Sequence, residues 1–186
     1  MIRRATATAL VALLCAGCAS PDEVSATDAV LTVTSEDFAD GAAMPEWTTA
    51  DAFGGQCTGD NTNPQLSWQS PSPDTEGFAI TMIDTDAGGF VHWLVADIPA
   101  STTSIDRGAS GDLSGVGGSR SMSSTSYGEY FGPCPPNADH HYEFSIYALD
   151  RALALEPGFT HGDLLTAMEG HILAQGSITG LQSGPA

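Results

Sequence analysis

A cysteine held between three prolines and a glycine, Gly132-Pro133-Cys134-Pro135-Pro136, is followed shortly by His140-His141-Tyr142. Upstream lie Asp84-Thr85-Asp86 and His92-Trp93. Proline locks φ, so the cysteine segment has little conformational freedom, as suits a loop that holds a fixed shape beside something. Two histidines, a tyrosine and a carboxylate supply ring N–H donors, a hydroxyl and an acceptor, the groups that line a small polar pocket. Asp84, His92 and His140 are also acceptable zinc or iron ligands, so the residue types alone allow a metal-dependent hydrolase. The chain has no Walker motif, no G-x-S-x-G and no H-E-x-x-H, and no motif marks a nucleophile beside a base. Binding without catalysis is the simpler expectation.

These residues have to be positioned by strands. Phe78, Ile80 and Met82 alternate and share one face, and the same parity carries Asp84 onto that apolar face at its end, where it needs partners. A strand over Phe90–Ile98, stopped by Pro99, places His92, Leu94 and Ala96 on one face and Trp93 and Val95 on the other. Both faces are apolar, so the strand is expected inside a sheet. Val30–Thr34 reads as the first strand, Tyr142–Leu149 as another, and 172–179 as the last. Thr160 and Asp163 form a capping-box pattern ahead of Leu164, Leu165 and Met168 at helical spacing. The glycine- and serine-rich segment 108–128 reads as a long mobile loop. Trp47, Trp68 and Trp93 are expected to pack, and His161 and His171 to be structural or exposed.

The chain has 186 residues, 41% of them hydrophobic, with 21 glycines and 11 prolines. That is enough for one domain with a core, and the composition favours strands and turns over long helices. There is no lysine. Two of the five arginines, Arg3 and Arg4, precede an apolar run over 9–14 that is too short to span a bilayer. Residues 1–18 thus read as an export signal, and Cys15-Ala-Gly-Cys18 as a lipobox with Cys18 the lipidated residue; ordinary signal cleavage near Ala19 is the alternative. Residues 19–29 form a polar tether, and 30–186 the folded domain. The mature chain keeps 23 acidic residues against three arginines, a net charge of −20. Such a surface repels nucleic acid and anionic membranes, leaving the lipid as the expected membrane contact. The expected location is extracytoplasmic, at a bacterial cell envelope. Once Cys15 leaves with the signal and Cys18 takes the lipid, Cys57 and Cys134 remain. In an exported domain they most simply form a disulfide; two buried thiols or two metal ligands are the alternatives.

Cys57-Thr-Gly-Asp-Asn61, Pro64-Gln-Leu-Ser-Trp68, Asp84-Thr-Asp86, His92-Trp93, Ile98-Pro99, Gly132-Pro-Cys-Pro-Pro136, His140-His-Tyr142, Tyr147-Ala-Leu-Asp150 and Gly170-His171 occur in this order over Leu31–Gln182. Together they resemble the phosphatidylethanolamine-binding protein family, in particular its bacterial Raf-kinase-inhibitor-like branch. The resemblance implies a mostly β fold with a few short helices, built from a large central sheet and a smaller second sheet. It also implies a pocket for a small anionic or phosphorylated ligand at one end of the large sheet, with no cofactor. Carried over, the pocket residues are Asp84, His92, His140 and Tyr142, with the backbone of Gly132 and Pro133 as a wall. The family also includes protein-interaction modules that act as inhibitors, a third functional reading. Two positions depart from the family pattern. Thr85 stands where the family often has proline, which is expected to loosen that turn, and His141 stands where it often has arginine, which removes a permanent cation.

Overall fold

A computed structural model describes residues 29–69, 72–113, 120–122 and 129–184. The segments read as a signal and tether, with the lipobox-like Cys18, lie outside the described residues apart from residue 29. The strands are β1 (Val33–Thr34), β2 (Asp51–Ala52), β3 (Cys57–Thr58), β4 (Leu66–Trp68), β5 (Gly77–Asp84), β6 (Phe90–Pro99), β7 (Ser104–Ile105), β8 (Arg120–Met122), β9 (His140–Leu149) and β10 (Ile172–Gln182). The described helices are α1 (His161–Met168) and two single 3₁₀ turns, Glu46–Thr48 and Ala109–Gly111. The fold is mostly β with few and short helices, as the residue pattern implies.

The large sheet has the order β10-β9-β5-β6-β8, with β5 at its centre. Every described pairing in it is antiparallel. A second sheet, β1-β4-β7, packs against one face. A two-stranded ribbon, β2-β3, stands apart from both. The ribbon was not foreseen, because two-residue strands carry no periodicity to read. Segment 108–128 also differs from expectation, since Arg120–Met122 leaves the loop to pair with Ala96–Leu94 as an edge strand.

Both faces of the large sheet are buried, so β5 and β6 are apolar without a polar side. Phe78, Ile80, Met82, Trp93, Val95, Tyr142, Phe144 and Ile146 form one cluster with Val33, Leu66, Trp68 and Ile105 of the second sheet. On the other face Ala79, Leu94, Ala96 and Leu149 meet Leu164 and Met168 of α1. Each such side chain contributes about 1.5–3 kcal/mol by leaving water. The α1 start is closed by a complete capping box. The Asp163 N–H donates to Thr160 Oγ1, and the Thr160 N–H donates to the Asp163 carboxylate. Trp68 and Trp93 are core residues, while Trp47 is half-buried beneath the Arg107 guanidinium, 4.7 Å from its ring centre. At Gly176 of β10 a Cβ would lie 1.9 Å from the Leu31 carbonyl, so only glycine lets the entering chain cross that strand.

Candidate functional site

At the end of β5, Asp84 is buried on the apolar face, and both its oxygens are used. Oδ1 accepts the N–H groups of Asp86 and Ala87, each at 2.9 Å, which closes the turn leading to β6. Oδ2 accepts from His140 Nδ1 at 2.7 Å. Thr85 does not leave this turn loose. Its N–H, which a proline would lack, donates to the His141 carbonyl at 3.0 Å, and its hydroxyl reaches the same oxygen at 3.3 Å.

β9 begins two residues earlier than the pattern predicted, at His140, and so takes both histidines into the sheet. Strand alternation then separates them. His140 is buried beside Asp84, whereas His141 is exposed and donates Nδ1–H to Asp86 Oδ2 at 2.8 Å. The backbone and side-chain hydrogen bonds from His141 hold the Asp86 carboxyl below the usual carboxylate range. Position 141 therefore points away from the pocket, and replacing the family's arginine leaves the inner donors as they are.

His92 departs from the strand parity. Met82 pairs with Trp93 and Ile83 with Val91, so the register slips by one residue at His92. This bulge turns the imidazole from the Leu94 side to the side that carries Asp84 and Tyr142. The ring stacks on Phe131 at 5.6 Å and meets Tyr142 edge-on at 5.1 Å. Nδ1–H donates to the Phe131 carbonyl at 2.7 Å, and the Phe131 N–H donates back to the His92 carbonyl at 3.1 Å. Burial pushes the His92 pKa below the ordinary histidine value, against the hydrogen bond to Phe131 and the nearby Asp84 charge. Neutral His92 therefore carries its proton on Nδ1 and leaves Nε2 as a bare acceptor.

Tyr142 pairs with Asp84 across β5 and β9. It is fully buried, and its hydroxyl makes no well-formed hydrogen bond among the described residues, its nearest polar neighbour being the Asp84 carboxylate. Burial pushes the phenol far above its usual pKa, with the Asp84 charge adding to the effect, so it stays a donor. Asp84, His92, His140 and Tyr142 together form the floor of a pocket of about 170 Å³. Its walls are Phe53, Ala87, Phe90, Phe131, Cys134, Pro135 and Pro136.

Gly132 and Pro133, expected as a backbone wall, are not among the residues lining the cavity itself, although the Gly132 backbone is a hydrogen-bond neighbour of the His92 imidazole. Their further contacts run to the 48–50 segment. A Cβ on Gly132 would lie 2.3 Å from the Thr48 carbonyl, and the Pro133 carbonyl accepts from the Ala50 N–H at 3.0 Å. Gly132 N–H also donates to Asn61 Oδ1 at 2.8 Å, and Asn61 Nδ2 donates to the Tyr130 carbonyl. The wall is supplied instead by the residues on either side, Phe131 and Cys134–Pro136. Cys134 is bonded to Cys57, with Cα atoms 5.8 Å apart. The Cys57–Asn61 segment and the proline-rich loop are thus joined twice, by Asn61 and by the disulfide.

The aromatic wall was missed in the sequence. Phe53 sits at the tip of a ribbon that carries no pattern, and Phe131 gives no sign that its carbonyl fixes a histidine. Of the remaining histidines, His161 starts α1, with burial lowering its pKa, and His171 Nδ1 is 2.9 Å from Asp150. Among the described residues no three His, Cys, Asp or Glu side chains are grouped as a metal site. Asp84 and His140 are turned toward each other and His92 toward a carbonyl. Larger clefts of about 420 and 530 Å³ lie around Gly77, Pro99 and Arg151 and around Glu143 and Gln175, and neither contains a histidine. None of the described helices is long and apolar enough to cross a membrane.

The family model described as phosphatidylethanolamine-binding protein matches residues 34–183. A UPF0098 protein of Aquifex aeolicus is 35% identical over 165 residues, covering 84% of this chain and 91% of the relative. A Mycobacterium tuberculosis protein that carries the name lipoprotein LppC is 39% identical over 135 residues, covering 70% of this chain and 61% of the relative. The crystal structure of Escherichia coli YbcL, described as a member of the mammalian PEBP family, superposes with a TM-score of 0.74 at 26% identity, covering 83% of this chain and 99% of that one.

Proposed function

This chain belongs to the phosphatidylethanolamine-binding protein family, and on that footing we propose that it is an exported, lipid-anchored binding protein for a small anionic or phosphorylated ligand, without catalysis. One observation carries the reading: two buried histidines and a buried tyrosine hydroxyl share one small pocket. A buried hydroxyl without a well-formed hydrogen bond is costly, and a ligand oxygen would supply one. Both imidazoles are fixed through Nδ1, leaving Nε2 of each for the ligand. When protonated, each Nε2–H makes a charge-assisted bond to a phosphate or carboxylate oxygen. The Asp84 carboxylate sets the orientation of His140 through its Nδ1.

The absence of catalysis is supported by the lining. Among the described residues it contains no serine, threonine or lysine, and its one sulfur, Cys134, is held in a disulfide. Anchoring through Cys18 is supported by the lipobox-like pattern and by the name of the Mycobacterium tuberculosis relative.

Calorimetric titration with inorganic phosphate or sulfate tests the binding site. His92→Ala and His140→Ala are each expected to abolish heat of binding while urea unfolding stays cooperative. Retained affinity in both variants rejects the assignment. Mass spectrometry of the mature N-terminal peptide from a membrane fraction tests the anchor, with a lipid-modified Cys18 expected.

A further inference from the structure

We infer that the ligand of this pocket is an anion bonded to an apolar, preferably aromatic, group, and that Phe53 selects it. The inference rests on the anion-pocket reading above and adds the chemical class of the ligand. A cavity of about 170 Å³ is well below the roughly 300–1,000 Å³ typical of small-molecule sites. It admits a head group, and the rest of a larger ligand must lie across the mouth.

The mouth is aromatic. Phe53 meets Phe131 edge-on at 6.4 Å, and Phe90 lies 6.4 Å from the same ring and 5.0 Å from His92. Phe131 is buried, but Phe53 is 67% exposed and Phe90 38%. These are two of the four large hydrophobic side chains exposed among the described residues, and both sit on one 170 Å³ pocket.

Phe53 also carries a backbone cost. Its φ is +54°, followed by Gly54 at +70° and Gly55 at +93°. Glycine takes such a conformation freely, whereas a bulky side chain is strained there. Folding does not account for a phenylalanine at this position, because its ring is largely in water. A strained, exposed aromatic ring at the edge of a polar pocket points to contact with a ligand. The ribbon that carries it, β2–β3, is tied by Cys57 to Cys134 in the pocket wall, which keeps Phe53 at the mouth.

Calorimetry with three probes tests this: inorganic phosphate, methyl phosphate and phenyl phosphate. Phenyl phosphate is expected to bind about tenfold tighter than the other two, from ring burial and aromatic contact. Phe53→Ala should reduce that preference, read as the ratio of the phenyl phosphate and inorganic phosphate affinities, to below about threefold; Phe53→Tyr should retain it. Because Phe53 is exposed, both variants should melt as the parent does. Equal affinity for all three probes overturns the inference while leaving the anion pocket standing. An undiminished phenyl preference in Phe53→Ala also overturns it. If no probe binds, the pocket reading fails and the inference with it.

Discussion

His140 Nδ1 and Asp84 Oδ2 meet at 2.7 Å between adjacent strands, with only 11% and 5% of their side chains exposed. The same carboxylate closes the 84–87 turn through its other oxygen. Asp84→Ala would leave three donors without their acceptor: His140 Nδ1–H and two backbone N–H groups. Unpaired buried donors cost about 1–3 kcal/mol each, less where water can enter. A loss of about 2–4 kcal/mol is expected in urea unfolding. Asp84→Asn keeps an oxygen for the turn and should lose less than half as much. Equal losses would show that the turn contributes little.

Binding of an anion should tighten as the pH falls from about 8 to about 6. With Nδ1–H donating to Phe131, neutral His92 can only accept at Nε2, so an anion must bring a proton with it. Burial holds His92 neutral in the empty pocket, and the groups facing it are Asp84, His140 and Tyr142. Sulfate is the cleanest probe, because its charge does not change over this range. Uptake of one proton per anion approaches a tenfold gain in affinity per pH unit. A pH-independent sulfate affinity would reject the proton requirement.

The empty protein should show the opposite trend. The folded-state pKa of His92 lies below its unfolded value, so the unfolded chain binds more protons once the pH drops below about 6.5. Stability contributed by neutral His92 is present above that value and is lost as the pH falls toward the folded pKa. The midpoint of urea unfolding should therefore decline between about pH 7 and pH 5.5. In His92→Gln that part of the decline should vanish.

The Cys57–Cys134 bond spans 77 residues, for which the chain-entropy model assigns about 4–5 kcal/mol. The Cys57→Ser, Cys134→Ser double variant should lose an amount of that order. It should also lose discrimination between phenyl phosphate and phosphate, because the ribbon carrying Phe53 is no longer tied to the wall. Unfolding in urea with and without reductant measures the first effect, and titration with the two probes the second. An unchanged phenyl preference in the double variant would show that the ribbon holds its place without the bond.

Alternation in Phe78–Ile83 placed Asp84 on the apolar face, and the structure has it there, because β5 pairs with β9 without a break from Gly77 to Asp84 and the extra residues of its pairing with β6 lie on β6. The same rule misplaced His92, since a one-residue bulge reverses the side of every residue beyond it and leaves no mark in composition. The proline-rich loop was legible as rigid and as one arm of a disulfide. Its orientation was not, because that depends on Gly132 lying against Thr48 and Ala50, a contact made by residues more than eighty positions apart. Phe53 and Phe90 were invisible as pocket residues for a similar reason: nothing near them in the chain shows that their rings converge.

The acidic body opposes the pocket's chemistry, which fixes the sign of the salt dependence. The chain carries a formal net charge of −18, and Asp51, Asp86 and Asp139 are close in sequence to lining residues. At about 0.01 M salt the Debye length is about 30 Å, so an approaching anion is repelled by much of the molecule; at about 0.1 M it is about 10 Å, and the distant charges drop out. The hydrogen bonds made inside the pocket are short-range contacts and are screened far less. Sulfate affinity at pH 6 should therefore rise several-fold between these two salt concentrations, mainly through faster association. The supporting electrolyte should have a bulky anion that a pocket of about 170 Å³ excludes. Tighter binding at the lower salt concentration would mean that the field of the histidines outweighs the whole acidic surface, and would reject long-range repulsion as the limit on affinity.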